Sequence, residues 1–268
     1  MKKILTAFHS SVTPIHIITF AVRFAKQNSA LIHAVYLSES KERVNSDYPF
    51  PNDLSITEDV SSAKNISEEN SQLIEDYIKV FKNECLLNGI TCSIEKDISV
   101  EQLIDKTADS DLLITDSEMN FPEGVFSKIH CPAFITSTNE RPQQVILMSD
   151  NSFSAKIAIE AYISLFPEYL RLTTSFVSIN PQQEDEKEMK TYFKEKLQSH
   201  FPDLAFQKLE GKVKNEFENF LDQIAVPVLI VMGAFGRSSL SEFFHPGLAK
   251  TALKEKGVSL FIAHKDRS

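Results

Sequence analysis

The chain has 268 residues, of which 42% are hydrophobic and 24% are charged. This composition is typical of a globular protein with one large domain or two smaller ones, and it excludes a largely disordered chain. A formal net charge of −9, without clusters of Lys or Arg, argues against nucleic acid or an anionic membrane as partner. The apolar runs are too short for a signal peptide or for a membrane helix, which needs roughly 18 apolar residues. We therefore expect a cytoplasmic protein.

Strands and helices are predicted to alternate along the first half of the chain. The segment ILTAFHSS at 4–11 is apolar, ends in small polar residues and precedes an amphipathic helix. A polar segment at 39–66 predicts a surface loop. The expected strands are 4–11, 30–38, 91–95, 111–116 and 132–138. The expected helices are 14–27, 68–87 and 100–107, with one more helix before the closing strand.

The second half repeats this order. ILTAFHSS at 4–11 recurs as ILMSDNSF at 146–153, an offset of 142 residues. The other expected strands of the second half are 170–179, 204–209, 227–233 and 258–265. Its expected helices are 154–166, 185–199 and 213–224, again with one more before the closing strand. Strands alternating with helices at this spacing predict parallel sheets covered by helices on both faces. We therefore predict two α/β domains, 1–140 and 143–268, joined by a polar segment near 139–143.

Cysteine and histidine give no sign of a metal or disulfide framework. Cys85, Cys92 and Cys131 form no Cys-x2-Cys pair, so buried thiols are expected rather than a zinc site or disulfide scaffold. The seven histidines are dispersed, and no nucleophile elbow, Walker A loop or zinc-protease motif occurs. No catalytic or metal-binding residue is predicted.

Three of the seven glycines, Gly233, Gly236 and Gly247, follow the predicted strand 227–233. Glycines after a strand suit either a tight turn or a backbone that approaches a phosphate at a helix N-terminus, and both interpretations remain open here. If Gly233 or Gly236 has a positive φ, alanine at that position is expected to destabilise the fold.

Two polar residues near these glycines have open alternatives as well. Arg237 suits either an oxyanion or a surface salt bridge. Asp150 follows the first strand of the second half, where ligands of open α/β sheets bind. Its alternative role is helix capping, through Asp150 itself, Asn151 or Ser152.

The pattern of a strand, Gly233-x2-Gly236-Arg237, a spacer, Gly247, an apolar helix and a closing strand resembles the universal stress protein (UspA) family. The resemblance covers both halves. It implies two tandem doubly wound domains of the adenine nucleotide alpha hydrolase-like fold, each with a five-stranded parallel sheet. It also implies that the closing strands pair edge to edge about a pseudo-twofold axis, which makes the two domains an intramolecular pseudo-dimer and removes two exposed edges. A homodimer is a further assembly that the resemblance suggests.

In nucleotide-binding members of the family, the signature Gly-x2-Gly-x9-Gly-Ser/Thr holds the phosphates, and an Asp at the end of the first strand lies near the ribose. The resemblance therefore implies that Asp150, Gly233, Gly236, Arg237 and Gly247 bind ATP or a related adenine nucleotide in domain 143–268.

The match to that signature is partial. The spacer 237–246 has ten residues instead of nine, and Leu248 stands where a hydroxyl is expected; leucine cannot donate a hydrogen bond to phosphate. In the first half, Phe8 stands where the Asp is expected and no Gly-x2-Gly occurs. Residues 1–142 also carry 21 acidic against 13 basic side chains. Domain 1–140 is therefore predicted to be a degenerate copy without a nucleotide.

The functional expectation is a tandem universal stress protein that is not an enzyme and that binds an adenine nucleotide weakly in its second domain. Two alternatives remain open. One is an interaction scaffold without a ligand, in which the glycines serve only the turn. The other is a slow nucleotide hydrolase, which would need Mg²⁺ and a positioned water.

Overall fold

The structure is a computed structural model with helices and strands in both halves of the chain. Side chains of 59–71 are excepted from the description. The described residues are 1–9, 14–38, 59–119, 121, 124–149, 152–179, 195–201, 203–209, 219–220, 223–224, 227–233 and 257–263.

Ten strands, counted over the described residues, form one continuous sheet in the order β3-β2-β1-β4-β5-β10-β9-β6-β7-β8. The strands of the first half are β1 Lys3–His9, β2 Leu31–Leu37, β3 Cys92–Ile98, β4 Leu112–Asp116 and β5 Ala133–Thr136. Those of the second half are β6 Gln144–Ser149, β7 Thr173–Ile179, β8 Ala205–Leu209, β9 Val228–Gly233 and β10 Val258–Ala263. Within each half, neighbouring strands are parallel.

Helices connect these strands as the alternating pattern predicts. The α-helices are α1 Ile15–Asn28, α2 Asp59–Leu87, α3 Val100–Thr107 and α4 Phe153–Leu165. Short 3-10 turns occupy Val125–Ser127 and Pro167–Arg171, and residues 195–200 are helical. The α/β class and the predominantly parallel sheet are thus confirmed.

The strand order is the same from either edge of the sheet, because β3-β2-β1-β4-β5 is matched by β8-β7-β6-β9-β10. The two series meet at the antiparallel pair β5–β10, in which Phe134 lies opposite Phe261. The predicted edge-to-edge pairing of the closing strands is therefore confirmed. The division into domains 1–140 and 143–268 stays a prediction.

One face of the sheet carries a single hydrophobic cluster that draws on both halves, which we call the shared core. It joins α1, α2 and α4 to side chains from most of the strands. Aromatic rings bridge the halves within it. The ring centroids of Phe20 and Phe134 are 4.2 Å apart, and Phe166 lies 5.5 Å from both Phe134 and Phe261. The opposite face has two clusters, each made mainly of residues from one half.

The shared core also shows how the two halves correspond. Ile4 of β1 and Val145 of β6 both face it, whereas Ile146 faces the other side of the sheet. Ile4 and Val145 also occupy equal places, since Ile4 pairs with Leu112 of β4 and Val145 with Leu229 of β9. The offset between the first strands is therefore 141 residues, and the predicted 142 is wrong by one. A slip of one residue exchanges the two faces of a strand.

Several predicted segments differ from the structure. The strand predicted at 146–153 is β6, which ends at Ser149, and Phe153 already begins α4 because Ser152 caps this helix. The strand predicted at 91–95 is β3, which extends to Ile98.

Helix α2 begins at Asp59, so the loop predicted at 39–66 is too long. The segment 59–66 contains no Pro or Gly, and polar residues extend an exposed helix at little cost. The helix predicted before β5 is reduced to the turn Val125–Ser127. Only 117–132, sixteen residues, separate β4 from β5, and Gly124 has φ +77°, which interrupts a helix.

The aromatic bridge predicts a large loss of stability on truncation. Phe134 is 1% exposed, and Phe134→Ala should lower the free energy of unfolding by about 3–5 kcal/mol, measured by urea denaturation. Phe153→Ala is the control, because Phe153 is 53% exposed and its loss should cost less than about 1 kcal/mol. Equal losses in the two variants would contradict a bridge between the halves.

Candidate functional site

The candidate site of the second half lies at the carboxyl ends of β6 and β9, which are adjacent parallel strands. Open α/β sheets bind ligands at this edge, where the strand order reverses. Here β6 leads into α4, so the N-terminus of that helix points into the same region. Unpaired amides and the helix dipole make a helix N-terminus favourable for an anion.

Gly233 is the last residue of β9 and lies against the first turn of α4. A Cβ at this position would come within 2.5 Å of both the Ser154 carbonyl carbon and the Ala155 nitrogen. Its φ is not positive, since the described glycines with positive φ are Gly89, Gly124 and Gly257. Glycine is therefore required at 233 by the close approach of two backbones, and the positive-φ explanation does not apply there.

Helix α4 has its own cap. Ser152 is the N-cap residue, and its Oγ accepts a hydrogen bond of 3.2 Å from the Ala155 amide. Among the three residues considered for this role, Ser152 performs it. The position of Asp150, directly after β6, is thus not needed for capping. Four of the five predicted nucleotide-binding residues, Asp150, Gly236, Arg237 and Gly247, lie outside the described residues.

The corresponding place in the first half contains an ion pair. Asp116 ends β4 as Gly233 ends β9, since Asp116 pairs with Thr136, the last residue of β5, and Gly233 with Ala263, the last of β10. His16 is the second residue of α1. Its Nε2 lies 2.7 Å from Oδ2 of Asp116, whose side chain is only 7% exposed.

The His16 Nε2 atom makes no hydrogen bond of acceptable geometry, so its contact with Asp116 is electrostatic and is an ion pair when the imidazole is protonated. The second carboxylate oxygen, Oδ1, accepts a hydrogen bond of 2.5 Å from the Glu118 amide. Pro14, the N-cap of α1, makes no side-chain capping bond, and the Asp116 carboxylate supplies negative charge near this helix end. A phosphate here would meet a buried like charge. Sequence reasoning missed Asp116 and His16, although Asp116 ends the predicted strand 111–116.

The correspondence between halves also changes one residue of the first site. With the offset of 141, His9 and not Phe8 matches Asp150. Phe8 is fully buried and faces the shared core. The first half therefore has His9 at the position in sequence that matches Asp150, and Asp116 at the strand end that matches Gly233. His16 is the second residue of α1, as Ser154 is of α4.

A second polar cluster lies toward the amino ends of β2 and β3. The Nδ1 atom of His33 is 2.6 Å from Ser93 Oγ, and its Nε2 is 3.1 Å from Glu95 Oε1. Because a carboxylate only accepts, the neutral ring donates from Nε2 and accepts the Ser93 hydroxyl. Lys106 of α3 pairs with Glu95 at 2.7 Å. Since the cluster is remote from the carboxyl edge, we assign it to packing of α3 on the sheet.

Comparisons with known proteins identify the fold. No family model and no curated protein sequence matches the chain. A crystal structure of a universal stress protein from Archaeoglobus fulgidus DSM 4304 matches with a TM-score of 0.66 and 11% identity, over 98% of this chain and 97% of that one. The chain has the universal stress protein fold.

Two further solved structures match the universal stress protein fold of this chain over almost its whole length. A functionally unknown protein from Pseudomonas aeruginosa PAO1 has a TM-score of 0.55 and 14% identity, over 99% of this chain and 93% of that one. The cytoplasmic domain of a prokaryotic cation chloride cotransporter has a TM-score of 0.50 and 13% identity, over 99% and 96%. At these identities the likeness concerns the fold alone.

The described residues include neither a helix that could span a membrane nor a cluster of side chains that could hold a metal ion. Within the part of the chain that the structure describes, no helix is long and apolar enough to cross a membrane. Over the same residues, no group of three or more His, Cys, Asp or Glu side chains could hold a metal ion.

Gly233→Ala should destabilise the protein whether or not a ligand binds. The added methyl group would overlap the α4 backbone at 2.5 Å, and overpacking of this kind costs about 1–3 kcal/mol. The control is Gly89→Asn, because Gly89 has open space around it and φ +67°, a conformation that Asn tolerates. Thermal melting of both variants is the measurement, and a larger loss for Gly89→Asn would contradict the steric explanation.

His33 should make stability fall as the pH is lowered from 7 toward 5.5. Burial lowers the pKa of His33, partly offset by Glu95. The unfolded chain therefore binds this proton more readily, so the stabilisation is present above the unfolded pKa of about 6.5 and is lost as the pH falls. Urea denaturation in that pH window should show a smaller slope for His33→Gln than for wild type. Equal slopes would show that His33 contributes nothing to it.

Proposed function

We propose that this chain is a non-enzymatic stress-response protein of the tandem universal stress protein type, which binds ATP or a related adenine nucleotide weakly in its second half. The proposed site lies between Asp150 and the segment 233–248. The main support is Gly233, whose backbone lies against the first turn of α4 with no room for a side chain. This brings a glycine-bearing strand end and a helix N-terminus together, as phosphate binding requires.

The first half supports the restriction to one site. At the strand end that matches Gly233 it has the buried Asp116 carboxylate, paired with His16. A phosphate placed there would have to displace a side-chain anion from the N-terminus of α1. Nucleotide binding by the first half is therefore disfavoured by charge as well as by space.

Binding in the second half is expected to be weak for two reasons that the sequence supplies. Leu248 replaces the hydroxyl, and the spacer 237–246 is one residue longer than in the family signature. Loss of one hydrogen bond to a charged group costs about 1.5–3 kcal/mol, which is about ten- to a hundredfold in affinity.

Calorimetric titration with ATP and Mg²⁺ tests the proposal. We expect one site per chain, with a dissociation constant above about 1 μM. Asp150→Ala combined with Gly236→Val should abolish binding, whereas Asp116→Asn in the first half should leave it unchanged. Submicromolar affinity would contradict the weakness. Binding that survives the double variant, or that is lost in Asp116→Asn, would place the site elsewhere.

An interaction domain is a second candidate function. The near full-length fold match to the cytoplasmic domain of a cotransporter supports it, because this fold then serves as one part of a larger protein. Two measurements separate the candidates: a nucleotide found by mass spectrometry in the supernatant of the heated, purified chain favours the first, and no binding in the calorimetric titration with ATP favours the second.

The hydrolase alternative is tested separately. Steady phosphate release from ATP above a heat-killed control, lost in Asp150→Ala, would show that the chain is an enzyme. We propose that no such release occurs, because the sequence shows no dedicated general base beside the glycine segment.

A further inference from the structure

Two of the three cysteines are brought together at the end of α2. Cys85 lies two residues before Leu87, the last residue of this helix, and Cys92 is the first residue of β3. The turn between them is tight. The Gly89 amide donates to the Leu86 carbonyl at 3.1 Å, and the Ile90 amide donates to the Cys85 carbonyl at 2.8 Å. These two bonds form a Schellman motif, with Gly89 in the left-handed conformation at φ +67°.

The two side chains meet on the shared-core face of the sheet. Cys85 is 1% exposed, and Cys92, partly buried, packs against the same cluster. The two thiols are near enough to interact. Burial raises the pKa of Cys85, and the neighbouring Cys92 raises it further. β3 is the outer strand of the sheet, so the more exposed thiol, Cys92, lies at an edge that solvent reaches.

We propose that Cys92 is a modification site for hydroperoxides and that Cys85 traps its oxidised form as an intramolecular disulfide. This inference is independent of the nucleotide site. A thiol that is partly exposed and lies next to a second, buried thiol has the arrangement of a redox-sensing pair.

The chemistry balances in two steps. In the first, the Cys92 thiol releases its proton to solvent, the thiolate attacks an oxygen of the hydroperoxide, and the O–O bond breaks. A sulfenic acid forms at Cys92, and the departing hydroxide or alkoxide takes up a proton from solvent and leaves as water or an alcohol. In the second, the Cys85 sulfur attacks the Cys92 sulfur, the S–S bond forms, and water leaves with the Cys85 proton. The two thiols lose two electrons and the peroxide gains them. Because Cys85 is buried and Cys92 is partly exposed, the peroxide reaches Cys92 first, and Cys85 has the role of the resolving thiol.

Cys131 provides an internal control. It is 5% exposed and lies in the cluster on the opposite face of the sheet. Burial raises its pKa to about 12. Cys131 is thus buried like Cys85, but it lies on the opposite face of the sheet from Cys85 and Cys92. The same oxidant should therefore leave it as a thiol.

The test is oxidation of the full, reduced chain with hydrogen peroxide, followed by alkylation with N-ethylmaleimide in denaturant and mass spectrometry. Before alkylation, the oxidised chain should be two hydrogens lighter than the reduced chain. After alkylation it should carry a single adduct, at Cys131, and its digest should contain a peptide linking Cys85 to Cys92. Dithiothreitol should restore three adducts. Cys131→Ser should form the same link, and Cys92→Ser should keep both remaining thiols alkylatable.

Several results would overturn the proposal. One is a sulfinic acid at Cys92 with Cys85 still alkylatable, which would show that Cys85 does not trap the oxidised sulfur. Others are a disulfide between two chains, oxidation of Cys131 at the rate of Cys92, or no change under peroxide that oxidises free cysteine. Loss of thiols at an undiminished rate in Cys92→Ser would show that another group reacts first.

Discussion

The antiparallel pairing of β5 with β10 is the contact on which the rest of the structure depends. Its register places Phe134 opposite Phe261, and both rings face the shared core. Phe166 of the chain after α4 reaches both rings at 5.5 Å, while Phe20 of α1 stacks on Phe134 at 4.2 Å. A single pair of strands thus fixes how the helices of both halves pack. Without it, each half would expose a hydrophobic strand edge and part of an aromatic core to water.

This shared core explains how the two halves can differ at their carboxyl edges. Most of the free energy of burial comes from residues that face the helices, and their pattern is similar in both halves. The last residue of β4 or β9 does not belong to the shared core. It can therefore differ between the halves, provided that it fits the space before the helix N-terminus. Gly233 fills it by letting the backbones touch, and Asp116 fills it by pairing with His16. The second half therefore has only backbone atoms at this strand end, whereas the first half has a buried carboxylate.

The elements were largely predictable because burial leaves a clear periodicity in this sequence. Helix α3 has the predicted bounds of 100–107, since Ser99 and Gln102 form a capping box that defines its start. The existence and order of the strands followed from the apolar runs, and the central pairing followed from the family resemblance; the strand ends were less accurate, as β6 and β3 show.

Two kinds of feature could not be predicted from the sequence: contacts between residues far apart in the chain, and the face of the sheet on which a given side chain lies. The offset between the halves was one residue in error because both β1 and β6 are apolar on both faces, so letters alone do not show which side chain faces which layer. The ion pair of Asp116 with His16 joins residues 100 positions apart, and only the fold brings them together. The steric role of Gly233 likewise depends on the position of α4, which no local pattern reports.

The outer edges of the sheet disfavour pairing with a further strand, whereas its centre depends on such pairing. β3 carries the exposed Lys96 and Asp97, and Asp97 has φ 58° where the register to β2 shifts between Val35 and Leu37. A bulge and charged side chains discourage another strand from adding to an edge. β8, the other outer strand, exposes Gln207 and Lys208. Edge pairing is thus used within the chain, between β5 and β10, and is disfavoured at β3.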